Sequence, residues 1–392
     1  MKVSCNQTSL AQQLSIIGRL VSNKPGLPIL ANVLLETEDS KLKMTATDLE
    51  LGVRTWIGAE VGEDGKITIP ARTFSEFVNS LPPEKVDIEL KKQLLKVKTV
   101  NNEAQFNTLA PDDFPSVPSA EEGKLLMKVV PEDMKKAVDR VAFAAATDDS
   151  RPVLTGIKIE ADGTDLTLIA VDGFRLSRQF VKLTRAAKKK IDLLVPAKAM
   201  QELARVITDL SPEASVDEKS KTKSKSKSTD KDSVEVYLME SNNQIIFRYK
   251  EVDLISRLID GQFPEYKQII PTGFQTQVDM DTSQIQNAVR IVNIFARSVV
   301  GNKAIMEFSP EKKHVKVSAA LVEVGENESS FDAKVEGDEL KVGFSAKFLS
   351  DMLASIDGDT LTFEGSSPTA PGVFRSKGDD TYLHIIMPMR ID

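Results

Sequence analysis

The strongest constraint on this chain is that it repeats itself on the scale of a whole domain. Residues 28–53 read PILANVLLETEDSKLKMTATDLELGV, and residues 152–177 read PVLTGIKIEADGTDLTLIAVDGFRLS. Each opens on a Pro and two apolar residues, runs through a β-rich stretch and reaches an Asp; Pro28 to Pro152 and Asp48 to Asp172 are both separated by 124 positions. A second landmark occurs three times: ITIPARTFSEFVNSL from Ile67, LLVPAKAMQELARVI from Leu193 and VGFSAKFLSDMLASI from Val342. A third closes each unit: DDFPSVP around Phe114, GQFPEYKQIIP around Phe263 and IIMPMR at the end. Self-similarity at a domain-sized period means three copies of one domain, not a solenoid of small units. A length of 392 residues accommodates them, at about 100–200 residues per domain. The pattern predicts domains at 1–122, 123–272 and 273–392, with Gly123 and Gly273 interrupting it at the boundaries.

The same offsets locate an insertion. Pro70 to Pro196 is 126 positions and Val86 to Val234 is 148, so the second copy gains 22 residues in between. That gap holds SPEASVDEKSKTKSKSKSTDKDS, residues 211–233, rich in Lys and Ser with Val216 as its one large apolar residue. Such a segment has too little apolar surface to offset the entropy of ordering, so it is expected to be a disordered loop. A basic finger is the functional alternative.

Each copy carries two helix-like segments. The first of each pair spans 9–22, 131–147 and 282–298, with apolar residues three and four apart: Leu10, Leu14, Ile17; Val138, Val141; Ile285, Val289, Val292. Ser9, Pro131 and Thr282 are the expected helix starts. The second helices follow the PAR, PAK and SAK triplets. Alternating stretches such as Lys66–Ile69, Val86–Leu90, Leu94–Lys98 and Val234–Leu238 read as strands. Each copy thus reads as strand, helix and three strands, twice over: an α+β fold.

Composition narrows the setting. The single Cys5 cannot form an intrachain disulfide and fits a reducing compartment. The start, MKVSCNQTSLAQQLS, lacks the apolar core of a secretory signal. No run approaches the ~18 apolar residues of a membrane span. A cytoplasmic protein is expected. Net charge is −7, so no global basic signature marks a nucleic-acid binder. The six helical segments nevertheless sum to +3, which leaves the acid in strands and loops. Sequence-independent DNA binding needs Lys and Arg near phosphates, not a basic protein overall.

No catalytic constellation emerges. The two histidines, His314 and His384, stand apart, and no CxxC pair, HExxH, GxSxG or phosphate-cradling glycine loop occurs. Carboxylates at Asp48 with Glu50, and at Asp172, leave a magnesium-dependent nucleic-acid enzyme as one alternative. But Asp48 and Asp172 share one repeat position next to a turn, and a capping role accounts for both. No cofactor, no metal and no catalytic residue is expected.

Several strings then resemble one family: KPGLPILANVLLE, TATDLEL, IPARTFSEF, TLAPDDFP, VDGFRL, DGQFPEY and the terminal MPMRI. Together, in order over all three copies, they resemble the β subunit of bacterial DNA polymerase III, the sliding clamp. The resemblance implies a head-to-tail homodimeric ring around double-stranded DNA, with helices lining the hole and no active site of its own. Geometry agrees: six helices packed about 8–10 Å apart leave a hole of only ~8 Å, and twelve leave roughly 20–28 Å, enough for a duplex. It implies DNA contacts at Lys24 and Arg72, with Arg151 nearby. It implies a ring contact joining Phe106 of the first copy to Ile294 and Phe295 of the third. It also implies a groove for short peptides of the replicative polymerase, clamp loader and repair factors. That groove would be built from Leu154, Val171, Gly173, Phe174, Arg175, Leu176, Pro264, Ile269, Ile385, Met387, Pro388, Met389 and Arg390. Phe174 stands where relatives often carry His, and Pro152 and Val153 replace an aromatic pair. The remaining alternative is an interaction scaffold of repeats that never meets DNA.

Overall fold

The computed structural model describes residues 1–21, 26–211, 232–297, 302–321 and 325–391. The first copy contains β1 (Lys2–Asn6), α1 (Gln7–Gly18), β2 (Asn32–Glu38), β3 (Lys41–Thr47), β4 (Leu51–Gly58), β5 (Glu60–Glu63), β6 (Lys66–Pro70), α2 (Ala71–Ser80), β7 (Lys85–Lys91), β8 (Leu94–Lys98) and β9 (Glu103–Asn107). The second contains β10 (Lys124–Val129), α3 (Pro131–Val141), β11 (Gly156–Asp162), β12 (Asp165–Val171), β13 (Arg175–Lys182), β14 (Ile191–Pro196), α4 (Ala197–Leu210), β15 (Val234–Met239), β16 (Gln244–Tyr249) and β17 (Val252–Arg257). The third contains β18 (Thr276–Asp281), α5 (Thr282–Ala296), β19 (Lys303–Ser309), β20 (His314–Leu321), β21 (Gly325–Gly337), β22 (Leu340–Ser345), α6 (Ala346–Leu353), β23 (Thr360–Gly365), β24 (Gly372–Ser376) and β25 (Tyr382–Ile386). Strand, helix and three strands recur six times, as the repeats predict. The short β5, a continuation of β4 that pairs with β1, is the one addition.

The helix ends differ from expectation for identifiable reasons. α1 starts at Gln7, not Ser9, because the Asn6 side chain accepts from the amides of Thr8 and Ser9. Asp281 and Ser345 cap α5 and α6 in the same way. α3 stops at Val141 instead of 147: a short 3-10 turn follows, and the Ala146 amide leaves the helix to donate to Leu154. The apolar stripes face inward as read. Leu10, Leu14, Ile17, Ile285, Val289 and Val292 are all buried, each worth about 1.5–3 kcal/mol. In the third copy they meet four phenylalanines, with the Phe308 and Phe363 rings stacked at 4.5 Å.

The sheets do not respect copy boundaries. The five-stranded sheet, β5-β1-β7-β8-β9, lies within the first copy. The eight-stranded sheet joins first and second copies where β4 pairs β17, from Leu51 opposite Ser256 to Thr55 opposite Val252. The twelve-stranded sheet joins second and third where β13 pairs β25, from Arg175 opposite Ile386 to Gln179 opposite Tyr382. The chain accordingly divides into two compact units, Met1–Glu132 with Glu202–Leu258, and Asp133–Gln201 with Ile259–Asp392. The middle copy contributes to both.

Candidate functional site

Construction of the site starts at one turn, built twice. Asp48 closes the β3–β4 connection: its amide donates to Leu51, and its Oδ1 accepts from the amides of Glu50 (3.0 Å) and Leu51 (2.7 Å). Asp172 closes β12–β13 identically, its Oδ1 accepting from Phe174 (2.8 Å) and Arg175 (2.9 Å). Both carboxylates are engaged as turn caps, so the magnesium reading of Asp48 and Asp172 is set aside. The next residue is left-handed in both turns, Leu49 at φ 81° and Gly173 at φ 95°. Glycine fits the second because a Cβ there would also press within 3.2 Å of the Arg151 guanidinium.

The residues on either side of the Asp172 turn, Val171 and Leu176, join an apolar cluster. Leu154, Val171, Leu176 and Ile385 form one buried apolar cluster with Phe263, Tyr266 and Leu383. Around this cluster Pro264, Ile269, Phe174 and Met387 are exposed, Phe174 at 61%. These residues come from the turn before β11, from β12 and β13, from the segment after β17, and from β25 and the residue that follows it.

One of the expected groove residues behaves differently. Arg175 is buried, not offered to solvent. Its Nε donates to Asp172 (2.9 Å), an Nη donates to Asp351 (2.7 Å), and its guanidinium lies 4.4 Å over the Phe348 ring. It holds the turn from beneath. Of the expected C-terminal residues, Ile385 joins the apolar cluster with Leu154, Val171 and Leu176. Beyond β25 the Met387 amide donates to Phe174 (2.8 Å) and the Met389 amide to Gly343 of β22 (2.8 Å). Pro388 has no N–H, so these alternate amides anchor the tail. Lys303 Nζ reaches the Arg390 carbonyl at 3.2 Å.

The other expected sites are scattered. Lys24 lies outside the described residues, as does all of the insert but Ser211, Asp232 and Ser233. Arg72 is exposed on α2 and paired with Glu76 at 2.9 Å. Arg151 donates from Nη2 to the Asp172 carbonyl (3.3 Å), which puts it at the Asp172 turn. Phe106 packs edge-on against Phe74 and Phe77 of α2, at 5.7 and 5.6 Å. On α5, Phe295 packs against the core of the third copy, whereas Ile294 is 65% exposed.

Sequence reasoning missed two buried polar groups at the β13–β25 pairing. Arg140 is 2% exposed, ion-paired with Asp379 (2.7 Å) and Asp357 (3.0 Å), and lies over the Tyr382 ring. His384 is wholly buried, its Nδ1 2.6 Å from the Ser177 hydroxyl. Burial, with the Arg175 charge added, pushes His384 down to about 3. Burial likewise pushes the Cys5 thiol up to about 12, which leaves it an unreactive core residue. No signal in single residues announced these. Among the described residues, no group of three His, Cys, Asp or Glu is placed to hold a metal.

Comparison with known proteins agrees with this architecture. The family models for the N-terminal, central and C-terminal domains of the DNA polymerase III beta subunit match residues 1–118, 128–265 and 267–390. The beta sliding clamp of Bacillus subtilis is 25% identical over 401 aligned positions, covering all of both chains. That of Synechocystis is 26% identical, again over the whole of both. Among solved structures, the DNA polymerase III subunit beta of Pseudomonas aeruginosa superposes with a TM-score of 0.88 at 27% identity, with full coverage of both chains. Three matched domains in order, covering almost the whole chain, establish that it belongs to the DNA polymerase III beta subunit family, the sliding clamps.

Proposed function

We propose that two copies of this chain close head to tail into a ring around duplex DNA, and that partner proteins enter the groove beside the Asp172 turn with short apolar peptides. As a sliding clamp the chain is not an enzyme: it gives polymerase processivity by topology. Its own contributions are the ring contact, a DNA-facing surface and the groove.

The pattern of strand pairing carries the ring. Each copy ends its first half on β4, β13 or β21 and its second half on β9, β17 or β25. Inside the chain, β4 pairs β17 and β13 pairs β25. The repeat leaves β21 and β9 over. β9 is the edge of its sheet, and residues 325–329 of β21 pair on one side only, with β20. Exposed edges of this kind template pairing with another chain. Extending the registers puts Phe106 of one copy opposite Gly325 of the next, and Glu103 opposite Glu328. Each glutamate already has a lysine beside it, Lys96 and Lys316. Ile294 holds the repeat position of Arg19, which at the first junction reaches Glu202 of α4 at 2.6 Å. An exposed isoleucine there suits a partner's α2.

Arg72, with Lys24, is assigned to phosphate contact, and the boundaries at 122 and 272 belong to the same reading. No helix among the described residues is long and apolar enough to cross a membrane, and we place the ring in the cytoplasm with the DNA. Sedimentation tests the assembly: a dimer at micromolar concentration is expected, and a 43.1 kDa species alone would reject it.

A further inference from the structure

The two internal strand junctions carry an arginine at the place where the ring contact carries a glutamate. Thr45, Ile169 and Ser318 hold one repeat position, at offsets of 124 and 149, and across their hairpins stand Arg54, Arg178 and Glu328. On the other side of each junction the repeat is as clear. Asp87 and Glu235 hold one position, at an offset of 148; they stand opposite Lys98 and Arg248, which in turn stand opposite Glu103 and Asp253. Inside the chain Arg54 faces Asp253, and Arg178 faces Leu383. In the ring contact the same places bring Glu328 of one copy to face Glu103 of the next.

The internal junctions are held by charge or by apolar packing. At the first, Asp253 is fully buried, Arg248 donates to it from Nε and Nη2 at 2.6 and 2.8 Å, and Arg54 adds its charge. At the second, Leu383 is buried in an apolar cluster. The edges left for the ring have neither. Glu103 is exposed on β9, and Glu326 and Glu328 are exposed on one face of β21. Their lysines lie one strand inside each sheet. Lys96 of β8 reaches Glu103 at 2.7 Å, and Lys316 of β20 reaches Glu328 at 3.4 Å while also holding Glu307 at 3.1 Å. Side chains directly opposite on antiparallel strands have Cβ atoms about 4.5–5.5 Å apart, and like charges so placed repel.

We propose that Glu103 and Glu328 make the ring contact the electrostatically weak one of three homologous junctions, so that the ring parts there and tightens when one of the two charges is reversed. This rests on the head-to-tail reading above and adds to it what sets the strength of closure. A ring must open to admit circular DNA, and a like-charge pair lowers the cost of opening at that place.

The test is a double-mutant cycle on the intact protein, with the dimer dissociation constant read by sedimentation at low salt, where surface charges are least screened. Both glutamates are exposed, so no core side chain changes. Glu328→Arg installs the arginine of the internal junctions and should lower the constant about tenfold, since each ring contains the pair twice; Glu103→Arg should do the same. Combining the two puts cations face to face and should lose that gain. Raising the salt should shrink the difference between the wild-type chain and either single variant. An unchanged or weaker dimer in Glu328→Arg, or gains that simply add in the double variant, overturns the proposal while the ring stands. A wild-type chain that forms no dimer at any concentration takes down the ring reading, and this proposal with it.

Discussion

At the scale of single residues, the most informative are polar groups with no freedom left. His384 keeps its proton off down to about 3 because it is buried beside Arg175. An unfolded chain takes up that proton as pH falls through about 6.5, the ordinary value. Stability from this group is therefore full above pH 6.5 and is lost as pH falls toward 3. At pH 5 the loss is about 2 kcal/mol, so the drop in unfolding free energy between pH 7.5 and 5 should be smaller by that amount in His384→Gln. An equal drop in both proteins would contradict the assignment. Arg140→Ala should cost about 3 kcal/mol in chemical unfolding, because Asp379 loses its partner at a site of low exposure. The turn residue Asp172 was legible as a cap because its counterpart Asp48 sits at the same repeat position. The inward turn of Arg175 was not legible, because nothing local says that Asp351 and Phe348 of a distant helix lie below it.

At the scale of elements, the repeat made nearly everything readable: six helices and the strand triplets follow from period and landmark alone. What it could not give was which strands of different copies pair, since that depends on backbone edges and not on side-chain pattern. The β4–β17 and β13–β25 pairings therefore appeared only in the structure, and with them the unpaired edges of β9 and β21. Phe106→Asp should place a charge against α2 and break the edge contact. The expected outcome is a folded monomer by sedimentation, because Phe106 is only half-buried and stands on the edge strand of its sheet; a dimer of unchanged affinity would count against the β9 contact. Replacing residues 211–233 by a short Gly/Ser turn should leave the dimer and the melting temperature nearly unchanged. Lengthening a surface loop costs only about 0.6 kcal/mol per doubling. A fall in DNA retention after that deletion would instead favour the basic finger.

At the scale of the whole molecule, function rests on closure and not on affinity. A ring needs few strong DNA contacts, which agrees with a chain of net charge −7 and with an Arg72 already paired to Glu76. Arg72→Ala should weaken DNA binding modestly, equally for all sequences, and flatten its salt dependence. The proposed groove is separate from the ring contact in the sequence, so partner binding and closure should be separable by mutation: removing Met387–Asp392 should abolish peptide capture and leave the dimer intact. The measurement that bears most directly on the account is retention of the intact protein, after loading, on nicked circular DNA before and after a single linearising cut. A closed ring stays on the circle at moderate salt and slides off the free ends once the circle is cut. Equal retention on circular and linear DNA, or none on either, would contradict a topological tether.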